Sequence, residues 1–193
     1  TFSGANSVAR ATRPLSAHSR EQMATSSFGS VADTIYPDLD NEVSRTRRML
    51  ELFPAEHNDW QPHARSMSLA KLASHVAELP RFAMAIVTTD SMDFMKGEYV
   101  SHSCNSKAEI LDLFDSSVES LRTALQSADA ASLARPWTLR RGEQVLGTGP
   151  KGVLVRDFAI NHMVHHRAQL GVYYRLLDLP IPGLYGPSAD EKH

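Results

Sequence analysis

The sequence predicts an all-α protein built as a four-helix bundle, and three observations support this prediction. Four stretches carry apolar residues at three- and four-residue steps, which places them on one face of a helix. Proline and glycine separate these stretches. The 193 residues are 42% hydrophobic and 22% charged, as in an ordinary globular domain. Four amphipathic helices bury their apolar faces most simply against one another.

The first two helices are bounded by recognisable signals. The first is predicted over residues 38–53 and ends at Pro54, which cannot continue a helix. The second begins at Ser66 or Ser68, because either hydroxyl can cap it. Pro80 lies inside the second apolar stripe, so we expect a kink or a break there. That stripe consists of Leu69, Leu72, Val76, Leu79, Ala83 and Ile86.

The second half of the chain contains a loop, a helix, a short hairpin and a final helix. Residues 88–105 have no clear period and predict a loop. Ser106 and Glu109 form a capping box, which marks the start of the third helix. Residues 137–146 predict a possible short hairpin or an irregular excursion. The fourth helix is predicted over residues 151–178.

The chain divides into an N-terminal extension, residues 1–35, and a bundle domain, residues 36–193. The extension is rich in serine and alanine and lacks the apolar core of a secretory signal. What it contacts stays open; the dimer partner and the mouth of the bundle are our two candidates.

Composition excludes several classes of protein and site. Cys104 is the single cysteine, so the chain can form neither an internal disulfide nor a cysteine-based zinc site. The net charge of −2 argues against a nucleic-acid partner. No apolar run reaches the 18 residues of a membrane span. We therefore expect a cytoplasmic protein that acts on a small molecule.

Three histidines are predicted to face the core. On a helical wheel, Val155 and Tyr173 fall within about 20° of His162, which centres the predicted buried stripe close to that residue. His166 lies about 40° away, still inside the stripe. His75 lies in the apolar stripe of the second helix. Arg167 falls about 140° away, where we expect it to pair with an acid at the surface or an interface.

These histidines predict a metal site, with a second interpretation left open. Side chains four residues apart on a helix can hold one ion, and His75 would add a third ligand from another helix. Three imidazoles suit zinc, nickel, iron or copper, and they leave a coordination position free for water or substrate. Gln169 and Glu78 are candidates to hydrogen-bond the ligand rings. Alternatively, the three residues are core histidines bonded to buried partners.

Three segments together resemble the DinB superfamily of four-helix metalloproteins. They are the sequence around His75, the His162–Gln169 block and the Tyr-Gly-Pro tail at residues 185–187. The resemblance covers about residues 36–190. It implies helices in up-down-down-up order, metal ligands at His75, His162 and His166, and a homodimer. Ala168 replaces the glycine usual at its position in this family, and it is still small.

The resemblance also implies an activity. Characterised relatives include metal-dependent transferases and isomerases that use a low-molecular-weight thiol. We therefore predict a divalent-metal-dependent enzyme in which the ion activates a thiol or water for attack on a small electrophile. The catalytic residues beyond the ligands are unknown. Two alternatives stay open: a metal-dependent hydrolase with the same ligands, and a non-catalytic metal-binding dimer in which His165 or the extension supplies a fourth ligand.

Overall fold

The computed structural model describes residues 30–191, and in this range the chain is mostly helical. Most of the predicted extension, residues 1–29, lies outside the described residues. The helices are α1 (Ser30–Ile35), α2 (Leu39–Leu50), α3 (Leu69–Thr88), α4 (Lys107–Gln126), α5 (Ala130–Ala134), α6 (Lys151–Val155) and α7 (His162–Leu176). A π-helical segment, Arg156–Asn161, joins α6 to α7, and short 3-10 helices lie at Ala55–His57 and Phe94–Lys96. The strands are β1 (Ser91–Asp93), β2 (Pro136–Arg141) and β3 (Gln144–Pro150).

The two longest helices begin where the sequence predicts. Ser68 caps α3, and its hydroxyl accepts a hydrogen bond from the backbone of Lys71. The capping box of Ser106 and Glu109 starts α4. Of the two alternatives expected at Pro80, a kink or a break, the break does not occur, since α3 runs through this residue. Proline inside a helix costs about 3 kcal/mol, and the nearly continuous burial of α3 between its neighbours offsets that cost.

The chain is not strictly all-α, because it also contains a small three-stranded sheet. The predicted hairpin is confirmed as the antiparallel pair of β2 and β3. Its two-residue turn starts at Gly142, whose φ of +57° favours glycine. β1 pairs with β2 in parallel and lies in the segment that was predicted as a loop. Three residues are too few to show a period of two, so the sequence does not reveal this strand.

The helices pack around one hydrophobic core, in which α3 contacts both α4 and α7, and α2 also contacts α7. Trp137 of β2 is fully buried and donates a hydrogen bond from its indole to Thr89 at the end of α3, which fixes the sheet to the helices. Among residues 30–191, no helix combines the length and apolar character needed to cross a membrane.

The buried face of α7 differs from the predicted one. Its buried residues are Met163, His166, Arg167, Leu170, Tyr173 and Tyr174. On the wheel this face is centred about 80° from His162, which therefore lies at its edge. Leu176 lies about 40° from His162 on the wheel, within the stripe centred on that residue, yet it is 58% exposed. The prediction assumed one uniform period across residues 155–176, but the π-helical segment changes the number of residues per turn.

Arg167 is the clearest correction, because it is buried rather than at the surface. Its guanidinium donates to Glu42 Oε2 at 2.6 Å and to Thr46 Oγ1 at 3.0 Å. The Tyr185 hydroxyl, in the C-terminal tail, donates to the same Glu42 oxygen at 2.6 Å. Both charged side chains are almost fully buried, so the pair joins α2, α7 and the tail inside the protein. A buried charge requires such a partner, and Glu42 is far from Arg167 in sequence.

Candidate metal centre

The structure brings His75, His162 and His166 together between α3 and α7. One ring nitrogen from each lies within 4.8 Å of the other two. The Nε2 atoms of His162 and His166 are 2.8 Å apart, and those of His75 and His162 are 3.4 Å apart. The ring centroids are separated by 4.5 to 5.0 Å. The cluster joins residues 87 positions apart in sequence because α3 packs against α7.

The Nδ1 atom of each ring faces an oxygen atom. That of His166 is 2.7 Å from Gln169 Oε1, that of His75 is 3.4 Å from Glu78 Oε1, and that of His162 is 3.3 Å from the Phe158 carbonyl oxygen. Amide, carbonyl and carboxylate oxygens accept hydrogen bonds and do not donate them. Each Nδ1 therefore carries the proton, and each Nε2 carries a lone pair.

Three Nε2 lone pairs are thus brought close together, and a cation between them would satisfy them. Lone pairs cannot hydrogen-bond one another, so the observed Nε2 separations are unfavourable without a shared proton or ion. Nitrogen ligands held about 2.0–2.1 Å from zinc in a tetrahedral or octahedral arrangement are about 2.8–3.4 Å apart. The observed distances of 2.8 and 3.4 Å fit this range. The three histidines are compatible with a divalent transition metal.

The electrostatics keep the rings in the form that binds metal. Burial, with the neighbouring histidines, lowers the pKa of His166 to about 4. Burial also lowers the pKa of His162, assisted by His75. Burial alone would raise the pKa of Glu78, but hydrogen bonds from His75 and His102 outweigh it, and the pKa is lowered. At neutral pH the two rings are therefore neutral, as metal ligands must be, and Glu78 is ionised.

The cluster is partly open to solvent. The side chain of His75 is 28% exposed, whereas His166 is 9% exposed. Within residues 30–191, no fourth histidine, cysteine, aspartate or glutamate joins the group. His165, considered above as a fourth ligand, is exposed and stacks edge-on against His166. Three protein ligands leave a coordination position for water or substrate.

Glu78 connects the cluster to a segment that the sequence does not single out. Its carboxylate is buried and uses both oxygen atoms. Oε1 faces His75, and Oε2 accepts a 2.9 Å hydrogen bond from the backbone N–H of His102. The His102 ring also approaches Oε2, at 3.4 Å. The spacing of three residues on α3 predicts the contact with His75, but no local signal predicts the contact with His102.

The backbone partner of His162 was also missed. Phe158 lies in the π-helical segment, and its carbonyl oxygen faces His162. Its ring packs against Gly147 of β3 so closely that a Cβ built on Gly147 would lie 2.5 Å from Phe158 Cζ. Glycine at position 147 is therefore what allows this ring to lie against the hairpin. A glycine following a predicted strand is the signal that points to such a close approach.

Comparison with known proteins identifies the fold and the family. The model of the DinB family matches residues 23–193. No curated protein sequence matches the chain significantly.

Two solved structures resemble this one. A DinB-like protein from Bacillus cereus superposes with a TM-score of 0.60 at 20% identity, over 79% of this chain and 97% of that protein. A DinB-like protein from Bacillus subtilis superposes with a TM-score of 0.59 at 16% identity, over 78% of this chain and 96% of that protein. At such identities the similarity shows the fold alone.

Proposed function

The chain belongs to the DinB family, and on this premise we propose that it is a metal-dependent enzyme that transfers a small thiol to an electrophilic substrate. The ion would be held by His75, His162 and His166 in a DinB-like four-helix framework. The single observation that carries the proposal is the convergence of three unprotonated Nε2 atoms at 2.8 and 3.4 Å. Zinc, nickel and iron(II) all suit three imidazoles.

The reaction is a substitution or addition at carbon. A bound divalent ion would lower the pKa of a coordinated thiol toward neutrality. The thiol proton would pass to water, and the sulfur lone pair would form a bond to the electrophilic carbon. In a substitution the leaving group would depart with its bonding electrons; in an addition the electrons of the broken π bond would take up a proton from water. Gln169, Glu78 and the Phe158 carbonyl hold the three rings in the tautomer that directs Nε2 inward. Their task is positioning.

Partial exposure of the cluster favours catalysis over a purely structural metal. Structural zinc sites are closed by four protein ligands. Residues 30–191 supply three, and His75 borders a cavity of about 590 Å³. A substrate of modest size could therefore reach the ion.

The test is metal content and thiol transfer on the same preparations. Untagged wild type, His162→Ala and the control His63→Ala are purified without a metal column. His63 is exposed and lies outside the cluster. We expect about one equivalent of transition metal in wild type and control, and none in His162→Ala. With thiol and a chlorodinitrobenzene, metal-loaded wild type and control should form the thioether faster than His162→Ala.

Two results would contradict the proposal. If neither wild type nor His162→Ala binds zinc or nickel, the histidines are core residues. If metal binds but no thiol reacts with a broad panel of electrophiles, transfer is wrong, and amide or strained-ring hydrolysis becomes the next activity to assay.

We also propose that the protein acts as a homodimer, as the family resemblance implies. Val172 and Leu176 on α7 are 59% and 58% exposed, which leaves an apolar strip for a partner. Light scattering should give twice the chain mass for wild type and a lower mass for Val172→Glu. A monomeric wild type at micromolar concentration would overturn this proposal.

A further inference from the structure

The cavity beside His75 lies between the first half of α3 and residues 101–105. Of the described residues that line it, Met67 and Ala70 are apolar and the others carry polar side chains. His75 and Glu78 are among the latter, so the cavity borders the candidate metal centre directly. A ligand in this cavity would find several hydrogen-bonding partners beside the apolar parts of the wall.

The segment that forms the outer wall is fixed to α3 by three hydrogen bonds. The Val100 carbonyl accepts from Arg81, the His102 N–H donates to Glu78, and the Cys104 N–H donates to Ser74. As the segment runs from residue 100 to residue 104, its hydrogen-bond partners on α3 run in the opposite direction, from residue 81 to residue 74. Seven helical residues span roughly 10 Å, so these residues run nearly extended and antiparallel to the helix.

An extended backbone directs alternate side chains to opposite sides. Here Ser101, Ser103 and Asn105 line the cavity, and so does His102, whose ring approaches Glu78. At the far end, the Asn105 carbonyl accepts from Asn58 at 2.8 Å and its N–H donates to Glu109 at 2.8 Å. Two hydroxyl groups and an amide are thus presented from a backbone held at both ends. The wall is formed before any ligand arrives, which lowers the entropic cost of binding.

Besides Glu78, whose carboxylate already faces His75 and His102, two opposite charges line the same cavity. Lys71 lies one helical turn before His75 on α3, and Asp59 lies in the loop that precedes the helix. Among the described residues, no ion pair joins these two side chains, and neither pairs with any other charged group. A cation and an anion on one cavity, separated from each other, complement a ligand that carries both charges.

We infer that this cavity binds the amino-acid portion of the thiol substrate, with Lys71 receiving its carboxylate and Asp59 its ammonium group. The inference rests on the proposed thiol-transfer function. It narrows the substrate class to thiols with a free amino-acid group, such as cysteine or a small peptide thiol. Ser101, Ser103 and Asn105 supply hydrogen bonds to the remaining polar atoms, and the sulfur extends toward His75.

The test uses cobalt-loaded protein, in which a thiolate on the metal gives a charge-transfer absorption band. Four thiols distinguish the contributions of the two ligand charges to binding. L-cysteine carries both charges, 3-mercaptopropionate only the carboxylate, cysteamine only the ammonium group, and 2-mercaptoethanol neither. Gel filtration after each titration checks that cobalt is retained. The variants are Lys71→Ala and Asp59→Asn, with Lys96→Ala as control, because Lys96 is exposed and outside the cavity lining.

In wild type we expect the dissociation constant to rise in the order cysteine, the two singly charged thiols, mercaptoethanol. Lys71→Ala should weaken the binding of cysteine and mercaptopropionate about fivefold and leave the binding of cysteamine unchanged. Asp59→Asn should weaken the binding of cysteine and cysteamine by a similar factor and leave the binding of mercaptopropionate unchanged. Lys96→Ala should match wild type with all four.

The outcomes distinguish this inference from the function on which it rests. If all four thiols give the band with equal affinity in wild type and both variants, the thiol site stands and the amino-acid cavity is wrong. If cobalt binds but no thiol produces the band, the thiol-transfer function fails, and this inference fails with it.

Discussion

Gln169 Oε1 lies 2.7 Å from His166 Nδ1, within the same turn of α7. Because the amide oxygen only accepts, this contact fixes the proton on Nδ1 of His166 and leaves Nε2 free for the ion. One helix thus carries two of the three proposed ligands and the residue that orients one of them. Because Gln169 orients His166, its substitution is expected to change the affinity for metal.

Gln169→Ala should weaken metal binding by about tenfold to a hundredfold, the usual cost of losing a group that orients a ligand. The ring of His166 would then be free to rotate and to change tautomer. Competition with a chromogenic chelator measures the affinity. Gln61→Ala, in an exposed loop, is the matched control and should bind as wild type does. Equal affinity for Gln169→Ala and control would show that the contact does not orient His166.

Glu78→Gln should affect both the metal centre and the cavity wall. One amide oxygen can replace only one of the two carboxylate oxygens that now face His75 and His102. We expect weaker metal binding, and faster hydrogen exchange at the His102 backbone amide if the wall loses its acceptor. Chelator competition and amide exchange by NMR measure the two effects. Glu56→Gln, exposed in the 3-10 helix Ala55–His57, should change neither quantity. Wild-type values for Glu78→Gln in both assays would contradict this prediction.

Gly147→Ala should destabilise the protein, because the new Cβ would lie 2.5 Å from Phe158 Cζ. Overpacking of this kind costs about 1–3 kcal/mol, measured by urea unfolding. Adding Phe158→Leu should recover part of the loss, since the smaller side chain leaves room for the methyl group. Gly186→Ala is the control, because its Cβ would meet nothing within 4 Å. If Gly147→Ala and Gly186→Ala unfold alike, the close approach is unimportant.

The buried pair of Glu42 and Arg167 predicts a specific loss of stability in acid. Burial alone would raise the pKa of Glu42, but hydrogen bonds from Tyr185 and Arg167 outweigh it and the pKa is lowered. The folded protein therefore releases this proton more readily than the unfolded chain. The stabilisation is fully present above the unfolded pKa of 4.5 and is lost as the pH falls through the lower, folded pKa.

Glu42→Gln removes that dependence. At pH 7 we expect the variant to be less stable by about 3–5 kcal/mol, because Arg167 keeps its charge in a buried site. Between pH 5 and pH 3 its free energy of unfolding should fall less steeply than that of wild type. Urea unfolding across this range measures both slopes, with Glu56→Gln expected to follow wild type. If the free energies of unfolding of Glu42→Gln and wild type fall in parallel with pH, the Glu42–Arg167 pair is not the cause of the acid dependence.

The sequence predicts those features of the fold that depend on neighbouring residues. The cap at Ser68, the box at Ser106 and Glu109 and the hairpin turn at Gly142 are local, and the structure confirms them. The histidine cluster could be predicted from the sequence for a related reason. His162 and His166 share a helix, and His75 lies in the apolar stripe of the second helix, a position that the family resemblance also implied.

Features that depend on distant partners could not be predicted. Arg167 was expected to pair with an acid at the surface or an interface because it falls about 140° from His162 on the wheel. The acid that it does pair with lies on α2, 125 positions away. The contact between Glu78 and His102 likewise requires the path of the chain after β1. In residues 101–105, the small polar residues at every second position were the available signal, and too few residues are involved for a period to emerge.

The π-helical segment Arg156–Asn161 fixes the length of the chain between the hairpin and the histidine pair. Its turn holds one residue more than an α-helical turn. Deleting a single residue there would restore the α-helical repeat and rotate residues 151–155 by about 100° relative to His162. Leu154 and Val155, both buried, would then turn away from the core while the ligands stayed in place. Insertions and deletions in this stretch are therefore far less tolerable than substitutions, and a homologous sequence aligned across it must keep the same number of residues.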